Sequence, residues 1–206
     1  MILTKEKRIL DVFGKKPWIG KTFKKIKKES KIKSDSYVFK TLKKLSKNNI
    51  LKEKKVGNVI NYFLNDSIEA VSLVAYVEEY NAQQRKDLPH NNINEIISLI
   101  PTNIYSLLIT GSYAGKKQEK TSDLDIVLIS CSKTNIRKIL ASIRSRGELM
   151  IPEIHSYVFT EDEFLEMLTN KEENYGKEIA GNNLIICGGE QYLKIIFRAI
   201  ENGFKG

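Results

Sequence analysis

Apolar residues recur at helical spacing through the first third of the chain and at strand spacing through its middle. Ile9, Leu10 and Phe13 form one stripe of a helix running from Thr4 to Val12 or Phe13, which Gly14 and Pro17 end. A second helix fits Phe23 to Lys31. Ser34-Asp35-Ser36 then caps a third, in which Val38, Leu42 and Leu45 bury one face while Tyr37, Lys40, Thr41, Lys44 and Lys47 project from the other. After Asn48-Asn49, two β-prone runs, Ile50 to Val56 and Val59 to Leu64, flank Gly57-Asn58, a two-residue hairpin signal. Phe23, Phe39, Tyr62 and Phe63 are expected in the core, and Trp18 in the core or between modules.

Asp66-Ser67 opens a long helix through about Gln84, with Val71, Leu73, Val74 and Val77 on a broad apolar face. Leu88-Pro89-His90 interrupts before another short helix, Asn92 to Leu99. The pattern then changes: Ile104 to Thr110 and Ile126 to Ile129 are short, apolar and rich in β formers, so they predict buried strands. An amphipathic crossover helix, Asn135 to Arg146, leads to a third strand, Glu153 to Phe159. Thr160 ends that strand and caps the helix that begins Glu161-Asp162-Glu163. Beyond it come a helix, an apolar run at Leu184 to Cys187, a Gly188-Gly189 break and a final helix carrying Tyr192, Leu193, Ile196, Phe197 and Ile200. An α+β chain in three parts is expected: residues 1–66, a helical linker at 67–100, and a mixed small sheet with flanking helices at 101–206.

Charge separates the first part from the rest. Of a net +9, residues 1–66 hold 19 Lys or Arg against 6 Asp or Glu, a net of +13, which leaves −4 for the remainder. Two modules with different partners follow from that asymmetry. The two cysteines, Cys131 and Cys187, have no close spacing, which excludes a disulfide-stapled scaffold and fits a reducing compartment. No run approaches the roughly 20 apolar residues of a membrane span and the N-terminus has no apolar signal core, so a cytoplasmic location is expected.

The middle of the chain carries the candidate chemistry. Gly111 lets the backbone approach an anion closely, and Ser112 opens a helical turn whose free N–H groups and hydroxyl can face a phosphate. Side chains alternate along a strand, so Asp123 and Asp125 emerge together and Leu124 opposite. Adjacent acids repel, and a divalent cation offsets the cost. A solvated strand end would account for the two acids alone. Their union with Gly111-Ser112 resembles the signature of the DNA polymerase β-like nucleotidyltransferases, in particular the minimal branch, over residues 100 to 160. The resemblance implies that Gly111 and Ser112, with Ser122 and Lys116 beside them, hold the phosphates of a nucleoside triphosphate. It also implies that Asp123 and Asp125 bind two Mg2+ ions. The usual Ala-Arg-Gly is replaced by Ala114-Gly115-Lys116, so Lys116 would supply a point charge where the family has a fork. The family's third acid falls near His155, and Glu153 is the nearest carboxylate on that face, the choice for the third catalytic and metal-binding group.

Three short helices followed by a hairpin resemble the winged helix-turn-helix domain of prokaryotic regulators, over residues 1 to 66. The resemblance implies that Ser36, Tyr37, Lys40 and Lys44 lie nearest double-stranded DNA, and that Lys54, Lys55 and Asn58 of the wing reach a flanking phosphate or the minor groove. Arg8 is the only arginine in this stretch, so phosphate contacts should outweigh guanine readout. Such regulators pair on half-sites, which makes a homodimer through the long helix an expectation. The combined expectation is a DNA-binding transcription regulator whose nucleotidyltransferase-fold part binds nucleoside triphosphate with Mg2+ and transfers a nucleotidyl group. Two alternatives stand beside it: a transferase of toxin-antitoxin type acting on a protein, a transfer RNA or a small molecule, and a catalytically inactive nucleotide sensor.

Overall fold

A computed structural model describes residues 4–100, 105–130 and 136–206. Ile104, Cys131 and Asn135, which the sequence reading assigned to a strand, a thiol and a helix start, lie outside them. The described residues form an α+β structure with two small sheets.

The first sheet belongs to the basic part of the chain. Helix α1 (Thr4–Gly14) is followed by β1 (Lys21–Thr22), α2 (Phe23–Ser30), α3 (Asp35–Lys47), β2 (Leu51–Val56) and β3 (Val59–Leu64). The strands lie in the order β1-β3-β2, antiparallel throughout, with Gly57 at φ +57° in the hairpin turn. Thr22 and Ser34 cap α2 and α3 by accepting from Lys25 N and Tyr37 N, each at 3.3 Å. Ile9, Leu10, Phe13, Ile26, Val38 and Leu42 meet in the core between the three helices, where burial of each side chain contributes roughly 1.5–3 kcal/mol.

Two expectations for α3 need correction. Thr41 is buried, because positions 38, 41, 42 and 45 together make a stripe at i, i+3, i+4 and i+7; its neighbours on the polar face misplaced it. Phe39 is 52% exposed, since it falls about a hundred degrees of helix turn away from Val38, and Lys43 Nζ sits 6.0 Å from its ring centre. Trp18 packs edge-on against Phe204 at 4.9 Å between centroids, joining the first part of the chain to its C-terminus as expected.

The second sheet is built from β4 (Tyr105–Ile109), β5 (Leu124–Ser130), β6 (Ile154–Thr160) and β7 (Leu184–Cys187) in the order β6-β5-β4-β7. Only β5 and β6 run parallel. Their crossover is helix α7 (Ile136–Gly147), the connection a parallel pair requires. Strand alternation sends Leu107, Ile109, Ile126 and Leu128 to one face, where they meet α5 (His90–Ser98) and α7. Leu108, Val127 and Ile129 face the other way, toward α8 (Glu161–Thr169), α9 (Tyr175–Gly181) and α10 (Gly189–Glu201). The helix cap expected at Thr160 is present and is a full capping box, with Glu163 N donating to the threonine hydroxyl and Thr160 N to the Glu163 carboxylate.

Helix α4 (Ile68–Gln83) spans the space between the two sheets. Ser67 caps it by accepting from Ala70 N and donates to Asn49 O at 2.8 Å, tying its start to the end of α3. Its flanks pack on α1, α10 and β7. One hydrophobic cluster therefore runs from Ile9 through Val74 to Phe204. No helix among the described residues is long and apolar enough to cross a membrane.

Candidate functional site

Strand β4 ends at Thr110, which donates its amide to Asp125 O at 3.0 Å and its hydroxyl to Asn182 O at 2.9 Å. The chain then turns at Gly111, φ +64°, into the short helix α6 (Gly111–Ala114). A methyl group on Gly111 would overlap Oδ2 of Asp125. Only glycine combines that backbone angle with that approach, so the turn and the acidic end of β5 are packed directly on each other. Asn182 Nδ2 donates to Gly111 O at 3.0 Å and fixes the turn from the α9–β7 side.

Parallel pairing places His155 of β6 opposite Asp125 of β5. Its imidazole lies among three carboxylates: Nε2 is 3.8 Å from Asp123 Oδ2 and 3.6 Å from Glu153 Oε1, while Nδ1 is 3.8 Å from Asp125 Oδ1. Asp123, Glu153 and His155 offer ligand atoms within 4.8 Å of one another, all on half-exposed side chains. Asp125 is the more enclosed. Burial raises its pKa, Asp123 and Glu178 push it the same way, and His155 opposes them. Tyr175 stands over this end of the sheet, 4.9 Å from the Tyr157 ring, and burial raises its phenol well above the usual range. A cleft of about 370 Å³ lined by Arg144, Glu148, Glu153, His155 and Tyr157 opens beside the cluster.

Of the residues anticipated here, Gly111, Asp123, Asp125 and Glu153 come together. Glu153 precedes β6, and its carbonyl accepts from Leu124 N at 2.8 Å, which anchors it beside the acids. Ser112 begins the α6 turn and accepts from Lys117 N at 2.9 Å through its carbonyl. Lys116 is exposed with φ +56°, an uncommon backbone state for a lysine. Ser122 uses its hydroxyl locally, accepting from Glu119 N at 2.8 Å to close the loop before β5.

Sequence reasoning missed two supports. Asn182 lies 71 residues from Gly111, and only its place in an Asn-Asn pair before an apolar run hinted at a structural turn. Arg85 is buried just past α4; it pairs with Asp87 and donates to Tyr113 O at 2.7 Å, holding the far end of the α6 turn. Gln118 reaches the same Asp87 at 2.7 Å. The arginine pairing drives the Asp87 carboxyl far below the usual carboxylate range.

At the basic end of the chain, Ser36, Lys40, Lys54, Lys55 and Asn58 are exposed. Tyr37 leans on the core with Lys5 Nζ 5.5 Å from its ring centre. Lys44 pairs with Glu6 at 2.8 Å, which raises its pKa, and Lys43 pairs with Glu53 at 3.2 Å. Lys40 makes no ion pair among the described residues. Val56, Val59 and Ile60 leave an apolar tip on the hairpin beside Lys54 and Lys55.

No protein-family model, characterised protein or solved structure matches this chain.

Proposed function

We propose that this is a DNA-binding regulator whose second sheet carries a nucleotidyltransferase-like site for a nucleoside triphosphate with Mg2+. The observation that carries the reading is the direct packing of the Gly111 turn on Asp125, with Asp123 and Glu153 on the same end of the sheet. A phosphate-sized turn and a carboxylate cluster occupy one place, as in-line displacement on a triphosphate demands.

Asp123, Asp125 and Glu153 are the groups that would hold Mg2+, and their converging oxygens suit a hard cation. The ion would neutralise phosphate charge and lower the pKa of an acceptor hydroxyl. The free N–H groups at Gly111 and Ser112 bind the phosphates, with Lys116 adding charge at the end of the turn. Asn182 and Arg85 hold that turn in place. The cleft bordered by Arg144 and Tyr157 accepts the molecule to be modified. The acceptor hydroxyl would release its proton to solvent, its oxygen would bond to the α-phosphorus as the bond to the α–β bridging oxygen breaks, and pyrophosphate would leave.

A second reading, nucleotide sensing without transfer, draws support from His155, which occupies the place opposite Asp125 where the family resemblance implies an acid. Labelled triphosphate separates the two. Transfer to an acceptor that disappears in Asp123→Asn and Asp125→Asn marks an enzyme; Mg2+-dependent binding without transfer marks a sensor. Absence of binding overturns both.

For DNA, the order α1-β1-α2-α3-β2-β3 with sheet order β1-β3-β2 supports a winged helix-turn-helix whose third helix enters the major groove. The double variant Lys40→Ala, Lys44→Ala is expected to weaken duplex binding on every sequence and to reduce the slope of log affinity against log salt by about two. Fluorescence anisotropy at several salt concentrations measures both, and an unchanged slope would move the contact surface away from α3. Lys44 must first leave Glu6, so Lys40 should account for the larger loss. A homodimer through α4 stays part of the proposal, and Tyr76 and Tyr80, stacked at 6.1 Å on its exposed side, are the residues such a contact would cover.

A further inference from the structure

We infer that the cavity between the β2–β3 hairpin and helix α10 binds a small zwitterion built on a planar aromatic ring, of which an aromatic α-amino acid is the simplest form. The cavity shares no residue with the acidic end of the second sheet.

Three rings set its apolar part. The cavity measures about 540 Å³, within the roughly 300–1,000 Å³ of small-molecule sites, and Trp18, Phe63, Phe197 and Ile200 line it. Phe197 and Ile200 lie three residues apart on α10 and share one of its faces. Trp18 packs against Phe204, and Phe63 lies so close to Gly20 that a methyl there would overlap the ring. All three lining aromatics are nonetheless only half-buried, so apolar surface stays uncovered among rings that are already in position. A planar ring covers that surface at little ordering cost.

Ion pairing on the rim selects the rest of the ligand. Lys52 stands opposite Phe63 in the hairpin register and is taken by Asp66 at 2.7 Å. Glu53 is taken by Lys43 at 3.2 Å. Lys54 is two residues from Lys52 and so on the same face of the hairpin; Glu201 ends α10. Both line the cavity, and neither makes an ion pair or hydrogen bond among the described residues. One cation on the hairpin and one anion on the helix are therefore left over. A ligand carrying only a carboxylate would cover Glu201 without pairing it, and one carrying only an amine would do the same to Lys54. A zwitterion meets both. Lys54 also belongs to the wing that the preceding reading gives to DNA, so on that reading ligand and duplex compete for it, whereas the cavity itself does not depend on DNA binding.

Calorimetric titration of the full chain with L-phenylalanine, L-tyrosine and L-tryptophan, without nucleotide or DNA, tests the site. At least one is expected to bind, with one molecule per chain. Trp18 is the only tryptophan, so its emission should shift in step with the heat when L-phenylalanine or L-tyrosine binds, which locates the ligand. 3-Phenylpropionate, which lacks the amine, and phenethylamine, which lacks the carboxylate, should each bind about tenfold more weakly than L-phenylalanine. Lys54→Gln should lower L-phenylalanine affinity about tenfold and leave phenethylamine unchanged, and Glu201→Gln should do the same while leaving 3-phenylpropionate unchanged. Both side chains are exposed, so the variants should keep the wild-type melting curve, which certifies the comparison. No binding of any of the three amino acids, either analogue binding as tightly as L-phenylalanine, or affinities unchanged in both variants would each overturn the inference. Because nucleotide and duplex are absent, an empty cavity leaves the triphosphate and DNA readings to their own assays.

Discussion

Gly111→Ala is expected to abolish triphosphate binding and to lower stability by about 2–5 kcal/mol. Two costs combine. A non-glycine residue at φ +64° loses roughly 1–2 kcal/mol in the left-handed region. A methyl overlapping Asp125 Oδ2 forces the carboxylate or the turn to move and adds the roughly 1–3 kcal/mol typical of overpacking. Where the turn yields, it moves against its bond from Asn182 and displaces the α6 amides proposed to bind phosphate. Gly57→Ala is the internal control. Its φ of +57° is nearly the same, yet a methyl there meets nothing within 4 Å, so it should cost only the backbone part. Urea unfolding of both variants gives the difference between them, which isolates the contact with Asp125. Equal losses would mean that Asp125 gives way freely and that the turn and the acids are not one unit.

The elements of that unit were readable to different degrees. Strand alternation read through Asp123-Leu124-Asp125 puts the two acids on one side without any tertiary information, and Asp123, one residue before β5, does lie beside the same imidazole as Asp125. Thr160, Ser34 and Ser67 gave the starts of three helices for the same local reason. Glu153 was placed beside the acids by its own sequence neighbourhood, but the register that sets His155 opposite Asp125 depends on how α7 lays β6 against β5. That is a packing outcome and leaves no local trace. Asn182 and Arg85 are long-range supports, 71 and 28 residues from the turn atoms they bond, and no periodicity reports such partners. Phe39 and Thr41 were misplaced for the opposite reason: polarity was used to judge them where helix phase decides. An aromatic in the wrong phase stays outside, and a threonine in the right one goes in.

Glu78 on α4 leads to the other large effect, a stability that falls as pH rises. Its carboxyl is buried against Gly14, with Asp11 and Lys7 of α1, Lys15 just past that helix and Tyr192 of α10 as the charged or titratable groups around it. Burial is the main cause that raises its pKa to about 7; Asp11 adds to the rise, and the two lysines reduce it. A folded value above the ordinary 4.5 means that the native state holds the proton more tightly than the unfolded chain does. The contribution is then complete below pH 4.5, declines as pH passes from 4.5 to 7, and is gone above about pH 8. Integrated over that window it amounts to about 3 kcal/mol. Glu78→Gln keeps the shape and removes the ionisation. The variant should match wild type near pH 4.5 and exceed it by about 3 kcal/mol at pH 8.5, measured by urea unfolding across the range. Glu79, whose burial also raises its pKa while Gly189 N donates to it, remains in both proteins and cancels in the comparison. Lys7 and Asp11 are linked through Asn81, and Lys7 Nζ lies 4.9 Å from the Tyr80 ring centre, so their positions are set by more than the carboxylate they face. A parallel pH dependence in variant and wild type would mean that those lysines already neutralise Glu78 in the folded chain. The contact between α1 and α4 would then be insensitive to its charge.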